Sequence, residues 1–409
     1  MTLLRDMRYP TPQELALAAR ALVDEHPGRA GLRQAGASRA GRPLWLLSVG
    51  GRGGGTRRVL VVAGAHANEP VGGATALELA RRVVRDGGGG GADWHFLLCA
   101  DPDGADLHRT PHPRSLLDYH RNFFRPPGPE QPEWAPSLLA PDRLPPETRA
   151  LTALLDELRP ALQVSLHGTD LGGSWVQLTR DVPGLAEPFA KSAAELRIPV
   201  ETGASDAAGW ISPGPGIFVM PETGTGPAGA FHPEDTRLST WCHAGTTAIV
   251  EVPMWASDLV DDPAPHPDPR GALRMLAGRL AEDSGRVAGL RSGARGADPG
   301  SAALLRAVDW TLGLIPRITA EWTGAGAPAE ATAAAVGSID AFGRRLSLRA
   351  AAMLLRVLRT QGHPAAPGLD RLVTGWCEEF AARFQARWVP VATQVEHQAR
   401  TVLATYERL

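Results

Sequence analysis

The chain has 409 residues, of which 43% are hydrophobic and 21% are charged, and this composition is typical of a globular protein with a full core rather than a disordered chain. The formal net charge of −2 shows no sign of the basic surface that nucleic-acid binding requires. Because the three cysteines lie far apart and neither an apolar leader nor a membrane-spanning apolar stretch is evident, we expect a cytoplasmic protein.

The first third of the chain alternates between helix and strand signals. Helical spacing of apolar residues predicts an N-terminal helix over 12–24. Apolar runs then predict strands over 43–49, 57–64 and 95–100, and helical spacing predicts a helix over 72–84 between the last two strands. Since two of these runs are almost continuously apolar, we expect a sheet that is buried on both faces.

The remaining elements divide the chain into two parts. Two further apolar runs, 162–168 and 247–253, predict strands, and a proline-rich stretch at 261–269 indicates a linker. Beyond this linker the chain shows helical spacing and almost no strand signal, which predicts a bundle of about four or five helices. We therefore predict a catalytic domain over 1–260, the linker, and an α-helical C-terminal domain over 270–409.

Ionisable side chains stand at or near the ends of three predicted strands. His66 follows the strand 57–64 and precedes Glu69 by three residues, His167 lies near the end of the strand 162–168, and Glu251 lies in the last predicted strand. Open α/β sheets bind their ligands at the C-terminal ends of strands. Two histidines and a glutamate are a standard ligand set for catalytic zinc. The sequence therefore predicts a zinc site at one edge of the sheet.

Five segments in a fixed order extend this interpretation to a family. The segments H-x-x-E (66–69), DPDG (101–104) and D-x-x-R-N (118–122), then a strand that ends in histidine and a strand with Glu-x-Pro, resemble the carboxypeptidase A-like zinc metallopeptidases. The resemblance covers about residues 8–256. It implies an α/β fold with a mixed, largely parallel central sheet flanked by helices, followed here by an all-α bundle that the resemblance does not explain.

The resemblance also implies roles for the residues of the zinc site. His66, Glu69 and His167 would bind one Zn²⁺ per chain, and Glu251 would be the general base that activates the zinc-bound water. Asp118 would orient the first ligand histidine from outside the coordination sphere.

Further residues would bind the substrate. Arg121 would bind the terminal carboxylate together with Asn122, and His120 stands where the family has an asparagine. Arg109 would polarise the scissile carbonyl, with Arg114 as the alternative.

Two features of the sequence depart from the family or leave a choice open. The mobile active-site tyrosine of the family has no match, since the corresponding loop offers Phe231 and His232. The residue that would select the substrate side chain falls at Thr236, between Asp235 and Arg237, and these two neighbours favour opposite charges. The side chain preferred in the substrate therefore stays open.

Three functions from different classes are compatible with these residues. The first is a metallocarboxypeptidase that acts on a peptide or small amide with a free carboxylate. The second is an N-acyl amino acid deacylase or amidohydrolase similar to the aspartoacylases and succinylglutamate desuccinylases, and the third is a non-catalytic scaffold that keeps the fold. For the helical region we expect packing beside the cleft and a contribution to a homodimer, because its apolar helix faces must be buried against some partner.

Overall fold

The computed structural model describes residues 8–50, 57–85, 91–110, 113, 115–221, 239–324 and 329–409. The strands are β1 (Ala30–Ala37), β2 (Pro43–Val49), β3 (Arg57–Ala63), β4 (Ala92–Leu97), β5 (Leu162–Gly172), β6 (Trp175–Leu178), β7 (Ile211–Gly214), β8 (Ile217–Val219), β9 (Thr246–Ala256) and β10 (Arg387–Trp388). The helices are α1 (Pro12–Glu25), α2 (Val71–Arg85), α3 (Pro102–Leu107), α4 (Leu116–Arg121), α5 (Pro146–Leu158), α6 (Ala186–Leu196), α7 (Pro269–Arg291), α8 (Pro299–Thr323), α9 (Ala333–Thr360), α10 (Ala366–Arg383) and α11 (Val391–Tyr406).

Short polar side chains fix the starts of the longer helices. The Thr11 side chain accepts a hydrogen bond from the Glu14 backbone N–H at the start of α1. Asp268 and Asp298 cap α7 and α8 in the same way, and Thr332 caps α9. Each such cap stabilises its helix by about 1 kcal/mol, since it satisfies a donor that the helix leaves unpaired.

The described strands form one mixed sheet in the order β1-β2-β4-β3-β5-β9-β6-β8-β7, with β10 paired to β9. Its central strands β4, β3, β5 and β9 run parallel to one another. Antiparallel pairs flank this centre on both sides, as in β1–β2 and β6–β9. The predicted mixed α/β fold, with a parallel centre flanked by helices, is confirmed.

The two faces of the sheet are covered by different helices. Val59 and Val61 pack in a cluster with residues of α1, α2, α6 and α11, whereas Leu60 and Val62 pack against α5. Because successive side chains of a strand point to opposite faces, the same alternation orients the other central strands. Val164 and Leu166 of β5 and Val250 of β9 lie on the α2 face. His167 and Glu251, each one position further along its strand, therefore point to the opposite face.

The C-terminal helices α7, α8, α9 and α10 pack on one another and also against the α/β region. α9 and α10 both contact the short helix α4. A buried ion pair strengthens this contact, since Arg345 and Arg349 of α9 donate to Asp170 of β5 over 2.7 and 3.1 Å. The helical region is thus joined to the strand that carries His167.

The end of the chain differs from the predicted division at 261–269. β10 pairs with β9, and α11 packs on α2, α6 and β9. Residues 387–406 therefore lie in the α/β layer rather than in a separate bundle, because α11 supplies part of the cover that one face of the sheet requires.

None of the described helices combines the length and apolarity needed to cross a membrane. The homodimer expected from the apolar helix faces stays a prediction, and much of that apolar surface is buried within the chain, as in the cluster that Leu276, Ile318 and Leu346 share.

Candidate metal centre

The first two candidate ligands lie on a single turn that follows β3. Gly64 occupies the left-handed region at φ 61°, and a side chain at that position would collide with Cys99. The chain then turns, and the Glu69 backbone N–H donates to the His66 carbonyl over 3.1 Å. This turn brings His66 Nδ1 to 3.0 Å from Glu69 Oε1. The three-residue spacing therefore aims an imidazole and a carboxylate at one point.

The third ligand and the candidate base come from neighbouring parallel strands. His167 of β5 is register-paired with Glu251 of β9, and both side chains point away from the α2 face. His167 Nδ1 lies 2.9 Å from Glu69 Oε2 and 3.9 Å from Glu251 Oε1. The register of two strands thus places the candidate base beside the candidate ligands.

These atoms form a donor set that suits zinc. One ligand atom from each of His66, Glu69 and His167 lies within 4.8 Å of the others. Two imidazole nitrogens and a carboxylate oxygen leave one position of a tetrahedral ion open for water or substrate, as catalytic zinc requires. The buried Oε2 of Glu251 has no hydrogen-bond partner among the described residues. The residues present therefore fit a catalytic zinc ion.

The electrostatics of the cluster also favour a cation. Burial and the Arg125 guanidinium lower the pKa of His66 to about 4, so its ring is neutral at pH 7, which is the form that binds metal. Burial and the neighbouring Glu69 raise the pKa of Glu251 to about 8. A divalent cation at this point would favour the ionised carboxylate of Glu251, because it would add positive charge beside a buried carboxylate.

Glu133 is a residue of the centre that the sequence analysis missed. Its side chain is fully buried, and Oε2 lies 3.1 Å from His167 Nε2. A carboxylate on the far nitrogen of a ligand histidine fixes the ring orientation and leaves the other nitrogen for the metal. Glu133 lies in the proline-rich stretch 125–146, where no periodic pattern distinguishes a buried carboxylate from an exposed one.

Arg125 is a second residue that the sequence analysis missed. Its Nη1 donates to Glu69 Oε1 over 2.8 Å, and its Nη2 lies 3.1 Å from His66 Nε2. The only sequence signal is its position four residues after Arg121. The guanidinium at the centre therefore belongs to Arg125 and not to the arginine of the D-x-x-R-N segment.

The structure does not bring the predicted substrate-binding residues of the D-x-x-R-N segment to the ligands. Arg121 Nη2 donates to Asp370 of α10 over 3.0 Å, and Asn122 donates to the Asp118 carbonyl. His120 is fully buried, with Nε2 3.8 Å from Asp170. The physical reason is that α4 packs against α9 and α10, so this segment is used to attach the helical region.

Two further predicted roles find no support in the positions of the residues. His66 Nδ1 pairs with Glu69, whereas Asp118 bonds to Ser115 and Asn122 through its backbone, so the structure does not place Asp118 as the partner of the first ligand. Arg109 pairs with Asp106, and its side chain is 71% exposed. Arg114, Phe231, His232, Asp235, Thr236 and Arg237 lie outside the described residues.

The centre opens into a cleft whose far wall comes from the helical region. The cavity has a volume of about 240 Å³. Trp241 lies beside the ligands, with its ring 6.1 Å from that of His167 and 5.8 Å from that of Trp134. The opposite wall contains Trp310 of α8 and Phe342 and Arg345 of α9. The helical region packs beside the cleft, as expected from its sequence.

One family model matches the part of the chain that contains the three candidate ligands. Residues 17–175 match the family model described as zinc carboxypeptidase, a range that includes His66, Glu69 and His167 but not Glu251. Residues 17–175 are therefore similar to a zinc carboxypeptidase domain. A search among curated proteins finds no match.

Solved structures with similarity to this chain include a metallo-carboxypeptidase from Burkholderia cenocepacia, at 15% identity and a TM-score of 0.39, over 60% of this chain and 60% of that chain. A putative metallopeptidase from Shewanella amazonensis SB2B is 17% identical with a TM-score of 0.38, over 59% of this chain and 84% of that chain. The carboxypeptidase A from Helicoverpa armigera is 15% identical with a TM-score of 0.38, over 60% of this chain and 65% of that chain.

Proposed function

We propose that the protein is a zinc-dependent hydrolase of small peptides or peptide-like amides that carry a free carboxylate, and that it acts as a metallocarboxypeptidase. The observation that supports this most is the convergence of His66 and His167 on the Glu69 carboxylate, with Glu251 beside them and a cleft in front. A zinc ion held by the first three residues would polarise the scissile carbonyl and lower the pKa of a water molecule.

Glu251 is the group of this chain that would handle the protons of the reaction. Its side chain lines the cleft, and its Oε2 is not used by any described hydrogen bond. Glu251 would take a proton from the attacking water as the new C–O bond forms. It would then give this proton to the leaving nitrogen as the C–N bond breaks.

Arg125 is the candidate for binding the substrate carboxylate. Its guanidinium lies at the ligands and lines the same cleft, whereas Arg121 is paired with Asp370. Because a divalent cation among the ligands has the same sign of charge, it would repel the Arg125 guanidinium from Glu69 and leave it available in the cleft. A bidentate guanidinium suits a carboxylate in such a place.

A second candidate function is the removal of an acyl group from an N-acyl amino acid. The observation that favours it is the helical wall, which places Trp310, Phe342 and Arg345 opposite the ligands, where a long peptide would need space. Both candidate reactions use the same metal, base and carboxylate anchor, and they differ in what occupies the leaving side of the scissile amide.

The test begins with the metal. We expect elemental analysis of the purified chain to find one zinc per chain, and we expect His66→Ala and His167→Ala to lose it. Turnover of a panel of dipeptides and N-acyl amino acids, with and without chelator, then separates the two candidate functions by kcat/KM. Full zinc occupancy in both variants, or turnover that survives complete removal of the metal, contradicts the proposal.

The carboxylate anchor is tested with a pair of arginine variants. Arg125→Ala removes hydrogen bonds to an ionised group, each of about 1.5–3 kcal/mol, so KM for free-carboxylate substrates should rise roughly 10- to 100-fold. Amidated forms of the same substrates should be spared. Arg121→Ala is the matched control, and it should not raise KM for free-carboxylate substrates relative to their amidated forms. Equal losses on both classes in Arg125→Ala would assign Arg125 a structural role.

A further inference from the structure

The helix α11 carries a row of polar side chains that are buried against the sheet. Gln394, His397, Gln398, Thr401 and Thr405 are all at most 1% exposed. Burying an amide or an imidazole costs free energy unless its polar atoms are hydrogen bonded. The partners of these side chains therefore show what the helix does in this fold.

The Gln398 amide is bonded to three separate elements. Its Nε2 donates to the carbonyl oxygens of His167 over 2.5 Å and Val250 over 3.0 Å. Its Oε1 accepts from the Thr75 hydroxyl over 2.7 Å. Both N–H groups and the oxygen of this one side chain are therefore used.

Two of the three elements carry a residue of the candidate metal centre, and the third, α2, begins directly after the ligand turn. Thr75 lies in α2, which begins at Val71, two residues after Glu69. The second partner is the backbone of the ligand His167 itself, and Val250 directly precedes the candidate base Glu251. Gln398 approaches from the α2 face of the sheet, while the His167 and Glu251 side chains point to the other face. The amide thus acts on the backbone behind the centre and touches no reacting group.

The neighbouring residue makes a similar connection. His397 Nε2 lies 2.9 Å from Ser174 Oγ, and this hydroxyl donates to the Glu251 carbonyl over 2.6 Å. His397 Nδ1 is 2.8 Å from the Ser192 hydroxyl. Two consecutive residues of α11 therefore reach the backbone of both strands that carry His167 and Glu251.

We propose that Gln398 is a positioning residue of the metal centre. It holds β5 at His167, β9 at Val250 and the start of α2 at the spacing that the ligands require, so that zinc affinity depends on the helix α11. This inference rests on the proposed zinc site, and it assigns a role at that site to residues outside the range that matches the family model.

The test compares two buried glutamines one turn apart in the full-length chain. Gln398→Met keeps the length of the side chain and removes the three bonds to His167, Val250 and Thr75. Gln394→Met is the matched control, because Gln394 is equally buried but bonds to Tyr9 and to the Val389 carbonyl. Both variants should lower the Tm. Only Gln398→Met should also lower Zn²⁺ affinity, measured by competition with a chelator, by about 10- to 100-fold as for outer partners of other metal ligands.

A milder pair covers the case in which Gln398→Met does not fold. Thr75→Val removes one of the three bonds and should weaken Zn²⁺ binding by a smaller factor, whereas Thr75→Ser keeps the hydroxyl and should restore it. Unchanged Zn²⁺ affinity in Gln398→Met and in Thr75→Val, with only the Tm lowered, would overturn the positioning role and leave the proposed function intact. A wild-type chain that does not bind Zn²⁺ would refute the proposed function and this inference together.

Discussion

The two walls of the cleft are built from different kinds of side chain. The sheet wall presents His66, Glu69, His167 and Glu251, which we propose to bind a cation or to move a proton. The helical wall presents Trp310, Phe342 and Arg345, which offer apolar area and positive charge and no metal ligand. We therefore assign the proposed chemistry to the sheet wall and the selection of substrates to the helical wall. The predictions that follow test this division.

The largest expected effect is on the sheet wall. Glu251→Gln keeps the shape of the side chain and removes the proton acceptor, so kcat should fall by about 10²- to 10⁴-fold while the zinc content is unchanged. Steady-state kinetics and elemental analysis of the same preparation check both parts. Near wild-type kcat in this variant would remove Glu251 from the proposed mechanism.

The next effect concerns the junction between the walls. Asp170→Asn leaves Arg345 and Arg349 buried without their charged partner, and breaking a buried pair in this way costs about 3–5 kcal/mol. The free energy of unfolding, measured with urea, should fall accordingly. Asp340→Asn is the control, since Asp340 pairs with Arg344 and Arg383 and joins helices only within the helical region. A larger loss of stability in Asp340→Asn than in Asp170→Asn would mean that the ion pairs of Asp170 do not hold the two walls together.

The same junction predicts a pH dependence. Burial opposes ionisation of Asp170, but Arg349 and Arg345 outweigh it and hold its pKa well below the ordinary value. Its contribution to stability is therefore present above the pKa of about 3.9 in the unfolded chain and is lost as the pH falls towards the lower folded value. Wild type should lose stability below about pH 4 more steeply than Asp170→Asn. An equally steep loss of stability below this pH in wild type and in Asp170→Asn would contradict this prediction.

A smaller effect is expected behind the sheet wall. Glu133→Gln weakens the partner that orients His167, so Zn²⁺ affinity should fall by about 10- to 100-fold. Glu147→Gln is the control, because Glu147 is also buried but accepts from the Arg39 backbone N–H away from the ligands. Equal affinities in the two variants would show that Glu133 has no influence on the metal.

The smallest effect is expected on the helical wall. Trp310→Ala removes an aromatic contact that contributes roughly 0.5–1.5 kcal/mol to the binding of an apolar side chain. KM for substrates with apolar side chains should therefore rise about 2- to 10-fold at unchanged kcat. Trp376→Ala is the control, because Trp376 packs in the helical core away from the cleft. A loss in kcat of Trp310→Ala that exceeds the change in KM would place chemistry on the helical wall and break the comparison.

The sequence was most informative for the sheet wall. An apolar run that stops just before His66 and another that reaches His167 predicted the central strands β3 and β5 and the meeting of these side chains, although β5 continues past His167 to Gly172. The register of β5 and β9 then places Glu251 opposite His167. The positions of these side chains follow from the two-residue period of the strands and do not depend on the helices that cover the sheet.

The residues around the centre were not predictable in this way. The D-x-x-R-N segment has the family pattern, yet α4 uses it to bind the helical region, and the resemblance says nothing about that region. The spacing of Gln394, His397, Gln398 and Thr401 is that of a polar helix face, which usually indicates solvent. In the fold this face is buried, because the backbone carbonyls of His167 and Val250 supply polar partners there. Such pairs depend on tertiary packing and leave no local pattern.

The position of α11 has a consequence for synthesis on the ribosome. Ala399 and Val402 of α11 complete the apolar cluster that contains Leu79 and Val83 of α2. Chains emerge from the N-terminus, so α2, β5 and β9 leave the ribosome long before the helix that covers them. A nascent chain that stops before residue 391 therefore has an incomplete core, and the proposed zinc binding and hydrolysis should arise only after Val391–Tyr406 has been released.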